Sequence, residues 1–307
     1  MNFQQLKIIR ETVRQQFNLT ETSQHLQTSQ SNVSKHIREL ELELGVQLFI
    51  RKGKRLLDLT EAGKSLFPTV EQVLIDADNI KRIVDEFTLI NQGELIIATT
   101  HTQARYVLPP IIQKFKQQFP NVHLVLQQTS PNEIVNLLLQ GKVDIGIATE
   151  ALTQEQLLTG TPYYTWQHSI IVPKNHPLSL KDKVSLADLT NYPIVTYHEG
   201  YTGRTNINQA FADARLTPNI VMSALDSDVI KTYVELGLGI GIISHIAYNA
   251  ERDHNLVAIK TNLFEFNTTW IAIRKGRLLR EYSYKFIKLC SPDTNLEALK
   301  ASIKKPL

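Results

Sequence analysis

A chain of 307 residues exceeds the usual span of one hydrophobic core, so a small domain beside a larger one is the first expectation. Apolar side chains make up 42% of it, too many for a disordered chain, and no apolar run approaches the roughly 20 residues that a membrane helix needs. Charges interrupt the apolar positions of residues 1–17, which excludes a secretory signal and leaves a cytoplasmic protein with no membrane partner as the expectation. The formal net charge of +3 is concentrated at one end: residues 1–64 hold ten Lys/Arg against seven Asp/Glu, and residues 65–307 hold 23 of each. A local cationic surplus suits a polyanion. The single cysteine, Cys290, can close neither an intramolecular disulfide nor a cysteine-based metal site and reads as a buried, inert thiol.

Phe3, Leu6, Ile9, Val13 and Phe17 recur at helical spacing and predict a first helix. Thr20 is the expected cap of a short second helix ending near Leu26, and Thr28 or Ser29 the cap of a third that runs to about Leu44 and stops at Gly45. Val33, Ile37, Leu40 and Leu44 form the buried seam of that third helix. Its opposite face carries Ser31, Ser34, Lys35 and Arg38, with Gln30 and Asn32 at the N-terminal end. Amide, hydroxyl and cationic donors without an apolar neighbour are what base edges and phosphates require. Leu48 to Arg51, a Lys52-Gly53 turn and Lys54 to Leu59 read as a basic hairpin wing, in which Arg51, Lys54 and Arg55 are placed to meet phosphates. An ordinary helical bundle would explain the periodicity, but not the wing, the polar face and the localised charge together.

The run from Leu19 to Gly63 resembles the DNA-binding signature of LysR-type transcriptional regulators, above all in Ser29-Gln30, Ser34, Leu40-Glu41, Leu44-Gly45, Leu48-Phe49, Arg51 and Leu59 to Gly63. It departs from the family at Ser31-Asn32, where proline and a small residue are frequent, and at Thr22-Ser23, where alanines are. The resemblance implies double-stranded promoter DNA as a partner, a homo-oligomer up to a tetramer, and contact with RNA polymerase.

From Thr60 to about Phe87 a single long helix is expected. Leu66, Val70, Val73, Ala77, Ile80, Val84 and Phe87 alternate at spacings of four and three, a seam that suits a partner helix in a dimer or the chain's own core. Pro68 is expected to bend or restart it.

Beyond a hinge at 89–92 the pattern alternates strand and helix, as in an α/β sheet covered on both faces. Glu94 to Thr100, Val122 to Gln127 and Val143 to Ala148 are strands, with a helix at Gln103 to Gln118 and another opened by Ser130-Pro131-Asn132-Glu133, a capping-box pattern. A second α/β section has strands at Ile170 to Pro173, Ile194 to Tyr197, Ile220 to Ser223, Ile240 to Ile243 and Leu256 to Ile259. Helices are expected after Ser185, Thr202, Asp226 and Ser244, and Thr269 to Ile273 with Leu279 to Cys290 complete the chain. The expected organisation is a winged helix-turn-helix at 1–59, a linker helix at 60–88 and a two-lobed, periplasmic-binding-protein-like α/β domain at 93–307. Its first lobe spans 93–162 and 267–303 and its second 163–266. Return of the chain to the first lobe is implied by the family resemblance.

Ligands in open α/β sheets bind beyond the carboxyl ends of the strands, where free N–H groups of helix starts point. Thr99 to Gln103, Thr149 and Tyr201 to Thr205 occupy that zone, and their neutral donors suit an oxyanion that stays deprotonated; threonines there are also ordinary caps. The segments Thr99 to Pro109, Thr196 to Arg204 and Ser227 to Ile242 are similar to the CysB-type branch of the family, activators of cysteine biosynthesis and sulfur assimilation. That similarity implies that Thr100, Thr102, Gln103, Thr149 and Thr202 hold a small anionic effector, N-acetylserine or O-acetylserine, with sulfate or thiosulfate as competing anions. Arg105 and Arg204 receive a weaker supporting role, and no other cofactor is implied.

Gly237, Gly239 and Gly241 lack the third glycine of a dinucleotide loop, and no Walker-type Lys-Ser/Thr follows them. The nine histidines include no HExxH pair, and His101 and His198 show no carboxylate partner that would argue for a metal. There is no G-x-S-x-G elbow, so no enzymatic activity is expected. The rival readings are a paralogue within the same branch tuned to alternative sulfur sources and, from another class, a solute-binding protein or small-molecule enzyme using the two lobes alone.

Overall fold

Short polar side chains set the helices of the N-terminal unit, Met1–Asp85. Asn2 accepts from the Gln5 amide to cap α1 (Phe3–Arg14), Asn18 accepts from the amides of Thr20 and Glu21 to cap α2 (Leu19–His25), and Ser29 accepts from Asn32 to cap α3 (Gln30–Leu44). The expected Thr20 cap is therefore corrected to Asn18, two residues earlier. Gly45 ends α3 at φ 71°, a left-handed conformation that glycine adopts without strain. Phe17 lies beyond α1 at φ 65°, yet its ring packs edge-on against Phe49; Phe3, expected on the buried face, is exposed. The wing pairs β1 (Phe49–Lys52) with β2 (Arg55–Leu59) antiparallel. Ile8, Ile9, Val33, Ile37, Leu40 and Phe49 fill the core between them.

The computed structural model describes residues 1–88 and 91–304, apart from the side chains of Glu150 and Lys304. Within it α4 (Glu61–Thr88) is one helix of 28 residues that continues through Pro68 instead of restarting. Its expected seam divides. Val70 joins the core together with Leu74, which the seam had not included, whereas Val73, Ile80, Val84 and Phe87 are exposed, Ile80 by 64% and Phe87 by 80%. The expected hinge falls partly on residues 89 and 90, outside the described ones.

The C-terminal unit starts at Glu86. It runs β3 (Gly93–Thr99), α5 (Leu108–Gln118), β4 (Val122–Gln128), α6 (Pro131–Leu139), β5 (Ile145–Ala148) and β6 (Leu158–Trp166), then β7 (His168–Pro173), α7 (Leu186–Leu189), β8 (Ile194–Tyr197) and α8 (Arg204–Asp213). It closes with β9 (Ile220–Ala224), α9 (Ser227–Glu235), β10 (Ile240–Ser244), β11 (Leu256–Ile259), β12 (Asn267–Arg274), α10 (Glu281–Cys290) and α11 (Leu296–Lys304). Two five-stranded sheets result, ordered β4-β3-β5-β12-β6 and β11-β7-β10-β8-β9. Because β12 pairs antiparallel with β5 and β6, the chain does return to its first sheet.

Four sequence expectations need correction here. The lobe boundary at 162/163 falls inside β6, which belongs wholly to the first sheet, so the crossing lies between Trp166 and His168. Gly160 and Pro162 hid this strand; proline is tolerated because β6 is an edge strand and slips register opposite Thr269 and Trp270. The helix expected over Gln103 to Gln118 begins as a π-helical turn, Gln103–Val107, before α5. Only a single 3-10 turn, His245–Ala247, follows Ser244, and α11 was not anticipated. Ser130 caps α6, but Glu133 turns its carboxylate to Asn136, so only half of the capping box forms.

Helices cover both faces of the first sheet: Phe115 of α5 meets Phe286 of α10 edge-on, with ring centroids 5.4 Å apart, and Ile134 and Leu138 of α6 pack on the other side. Cys290 lies in the first of these cores, where burial pushes its thiol pKa up to about 12.

Candidate effector cleft and nucleic-acid interface

On α3, Gln30, Ser31, Lys35 and Arg38 are exposed, and Asn32 and Ser34 are half-buried. Several of these side chains are oriented by neighbours. Ser31 shares a hydrogen bond with Ser29 at 2.9 Å, Asn32 donates to the Thr28 hydroxyl at 2.9 Å, and Arg38 donates to the Ser34 carbonyl at 3.3 Å. Lys54 and Arg55 at the wing tip border a cavity of about 400 Å³ together with Gln30, Asn18 and Thr20. The wing and the starts of α2 and α3 thus share one polar concavity. Arg51 stands apart. Its guanidinium pairs with Glu41 at 2.8 Å, and the other oxygen of that buried carboxylate accepts from the amides of Leu48 and Phe49.

In the C-terminal unit, Thr100 and Thr149 follow β3 and β5, neighbouring parallel strands, so both sit at the carboxyl edge of the first sheet. Thr102 and Gln103 open the π-helical turn. Gln103 is fixed at both ends of its amide, accepting from the Tyr164 hydroxyl at 2.6 Å and donating to Thr269 at 3.4 Å. In the other lobe stands Tyr197, a fully buried phenol whose pKa burial pushes up to about 12, with the Thr102 hydroxyl among the groups close enough to act on it. Tyr197 also takes the Ser244 amide at 2.9 Å and meets Ser227 at 2.6 Å. No side-chain hydrogen bond ties down Thr100, Thr149 or Thr202 among the described residues, although all three are buried.

Thr202 occupies a turn with φ 42°, a left-handed conformation that costs a non-glycine residue on the order of 1 kcal/mol or more. The turn holds because His168 donates from Nε2 to the Thr202 carbonyl at 3.0 Å and because Gly203 leaves room for it. A Cβ on Gly203 would lie 2.2 Å from Asn267 Oδ1. Burial lowers the His168 pKa to about 4, so the ring is neutral, and its Nδ1 is buried without a hydrogen-bond partner among the described residues.

The two nearby arginines are engaged elsewhere. Arg204 is buried, its guanidinium held by the Tyr197 carbonyl and, at 2.7 Å, by Asn208; Arg105 pairs with Asp228 at 2.8 Å. The arrangement offers neutral hydroxyl and amide donors without a dedicated cation, which suits a small anion that only accepts hydrogen bonds. Sequence reasoning missed Tyr164, His168, Tyr197, Ser227 and Asn267. Each is a polar group inside an otherwise apolar strand or at an element end, and local pattern assigns such positions to the core.

The premise that His101 lacks a carboxylate partner is also corrected. His101 lies 2.9 Å from Asp228, with Asp226 close enough to complete a possible three-ligand group. Arg105 and Lys231 already occupy Asp228, at 2.8 and 3.3 Å, so a metal ion would have to displace two cations. A separate cavity of about 820 Å³ lies in the second lobe beside Ser169, Lys183, His245 and Lys260 and involves none of the five predicted effector residues.

Residues 3–64 match the model of the bacterial regulatory helix-turn-helix protein, lysR family, and residues 91–293 match the LysR substrate binding domain. The chain belongs to the LysR family of transcriptional regulators. It is 50% identical over 296 residues to the HTH-type transcriptional regulator SsuR of Burkholderia cenocepacia, spanning 96% of both chains. Against CysB of the same organism it is 46% identical over 305 residues, 99% of this chain and 97% of that one. Among solved structures, the cofactor-binding domain of the Cbl transcriptional regulator aligns with a TM-score of 0.68 at 44% identity, over 70% of this chain and 95% of that one. These LysR-family relatives are regulators and not enzymes, which removes the enzymatic rival. No helix among the described residues is long and apolar enough to cross a membrane.

Proposed function

We propose that this LysR-family regulator activates genes of cysteine biosynthesis and sulfur assimilation and is switched by a small oxyanion held between its lobes. The observation that carries this reading is the set of buried neutral donors, Thr100, Thr102, Gln103, Thr149 and Thr202, drawn from both lobes while Arg105 and Arg204 are spent on other partners. Its likeness to proteins named SsuR, CysB and Cbl supports the sulfur assignment. N-acetylserine or O-acetylserine is the proposed inducer, with sulfate or thiosulfate competing for the same donors. The effector acts by binding one lobe arrangement better than another, since equal affinity for both would switch nothing.

Gln30, Ser31, Asn32, Ser34, Lys35, Arg38, Lys54 and Arg55 are the proposed contacts to promoter DNA, and Arg51 acts chiefly by fixing the wing through Glu41. The exposed stripe of Val73, Ile80, Val84 and Phe87 is the proposed dimer contact, leading to a tetramer, and RNA polymerase is the proposed partner at the promoter. Because identity to SsuR exceeds identity to CysB, 50% against 46%, a paralogue controlling alternative sulfur sources is the second reading.

Calorimetric titration with N-acetylserine and with sulfate tests the cleft. Thr102→Val is expected to remove sulfate-dependent thermal stabilisation, and an unchanged melting shift would take Thr102 out of the site. Inducer-dependent binding to promoters of genes for alternative sulfur sources and for cysteine biosynthesis, compared side by side, separates the two readings.

A further inference from the structure

Asp228, the second residue of α9, gathers four partners around one carboxylate. His101 Nε2 lies at 2.9 Å and Arg105 Nε at 2.8 Å, the Tyr106 hydroxyl donates at 2.6 Å, and Lys231 Nζ approaches to 3.3 Å. Three of the four come from the first lobe, within the six-residue stretch that begins at His101. Lys231 also binds Asp253 at 2.9 Å and the Ala247 carbonyl at 3.0 Å, which roots the cluster in the second lobe. Tyr106 packs against a second-lobe core cluster that includes Ile230 and Val234, so the contact is apolar as well as ionic.

The position of this cluster along the chain matters more than its ion pairs. His101 stands between Thr100 and Thr102, and Arg105 and Tyr106 lie in the π-helical turn that starts at Gln103. On the other side, Ser227 adjoins Asp228 and hydrogen-bonds to Tyr197, a phenol that also lies near Thr102. The two segments therefore meet directly at Asp228, and both border Tyr197. A π-helical turn is an irregular insertion that persists where surrounding contacts hold it, and often marks a functional position.

Accordingly, we propose that Asp228 is a positioning residue for the effector cleft: it clasps the segment bearing Thr100, Thr102 and Gln103 to the second lobe and thereby sets effector affinity without touching the effector. This inference rests on the cleft reading above. A ligand's apparent affinity scales with the fraction of molecules already in the competent arrangement, so a contact that holds that arrangement raises it. Burial works against ionisation of Asp228, but hydrogen bonds from Tyr106 and His101 and the charges of Lys231 and Arg105 outweigh it and lower its pKa, so the clasp stays charged at neutral pH.

The test uses full-length protein carrying Asp228→Asn, Arg105→Gln or Asp228→Glu. Interlobe distances are read by pulsed spin-label spectroscopy between Lys114→Cys and Gln209→Cys, both at exposed positions, and sulfate affinity by calorimetry. Asp228→Asn is expected to broaden the ligand-free distance distribution and to weaken sulfate binding about five- to tenfold, with partial recovery in Asp228→Glu. Unchanged distances together with unchanged affinity overturn the clasp. If the unsubstituted protein binds neither sulfate nor N-acetylserine, the effector reading fails, and the ligand-free distances alone decide the role of Asp228. Should Asp228→Asn not fold, Arg105→Gln removes one arm from an exposed side chain and is judged by the same distances.

Discussion

His168 shows how much a single buried side chain can decide. Its Nε2–H is committed to the Thr202 carbonyl, so the tautomer is set and Nδ1 is left as an acceptor in an aromatic setting, with Trp166, Tyr197 and Phe264 around the ring. Burial brings its pKa to about 4, against an ordinary value near 6.5. The unfolded chain therefore takes up this proton first as pH falls, and the folded state loses stability through the window from about 6.5 down to about 4, by up to about 3 kcal/mol. Thermal unfolding across that range is expected to decline more steeply in the unsubstituted protein than in His168→Gln; parallel profiles would show that His168 is not the linked group. Gly203 is constrained beside it, because any Cβ there would strike Asn267.

At the scale of elements, two basic residues that look alike in sequence part company. Among the described residues, Arg38 projects from α3 with only a bond to the Ser34 carbonyl, whereas Arg51 neutralises Glu41, the carboxylate that ties the end of α3 to the first strand of the wing. Arg51→Ala is expected to destabilise the N-terminal unit by about 1–3 kcal/mol as well as to weaken DNA binding, because a buried acceptor loses its charged partner. Arg38→Ala is expected to leave unfolding unchanged and to lower the slope of log affinity against log salt by about one, the signature of a lost phosphate contact. Denaturant unfolding and salt-titrated promoter binding, run on both variants, separate the two roles. An Arg38→Ala variant that unfolds early would place Arg38 in the scaffold.

For the whole molecule, α4 carries two faces with different duties. Val70 and Leu74 belong to the N-terminal core, while Ile80, Val84 and Phe87 expose more apolar surface than a solvated helix needs. Ile80→Asp is expected to shift the protein toward monomer in sedimentation at micromolar concentration and to reduce promoter affinity in parallel, since each half-site would then be bound alone. A variant that keeps its oligomeric state would move the subunit contact away from this stripe. The C-terminal unit joins two sheets through the crossings at Trp166–His168 and Phe266–Asn267, so small changes where the lobes meet can alter how both present themselves to a ligand.

Periodicity and capping chemistry in the sequence determined most of the regular elements: the three N-terminal helices, the wing, the long α4 and the strands of both sheets other than β6, each legible because its signal lies within about one turn or one hairpin. The five proposed effector residues were named from sequence too, through the carboxyl-end rule and the family likeness. Only tertiary structure decided β6, whose Gly160 and Pro162 make sense solely at a sheet edge, the split of the α4 seam, and the employment of Arg51, Arg105 and Arg204 in ion pairs or carbonyl contacts. It likewise decided His168, Tyr197 and Asp228, whose partners lie 34, 47 and 127 residues away along the chain. A local pattern records which face of an element is apolar; it holds no record of which distant polar group will meet a buried one, because that pairing is made by the packing of the lobes.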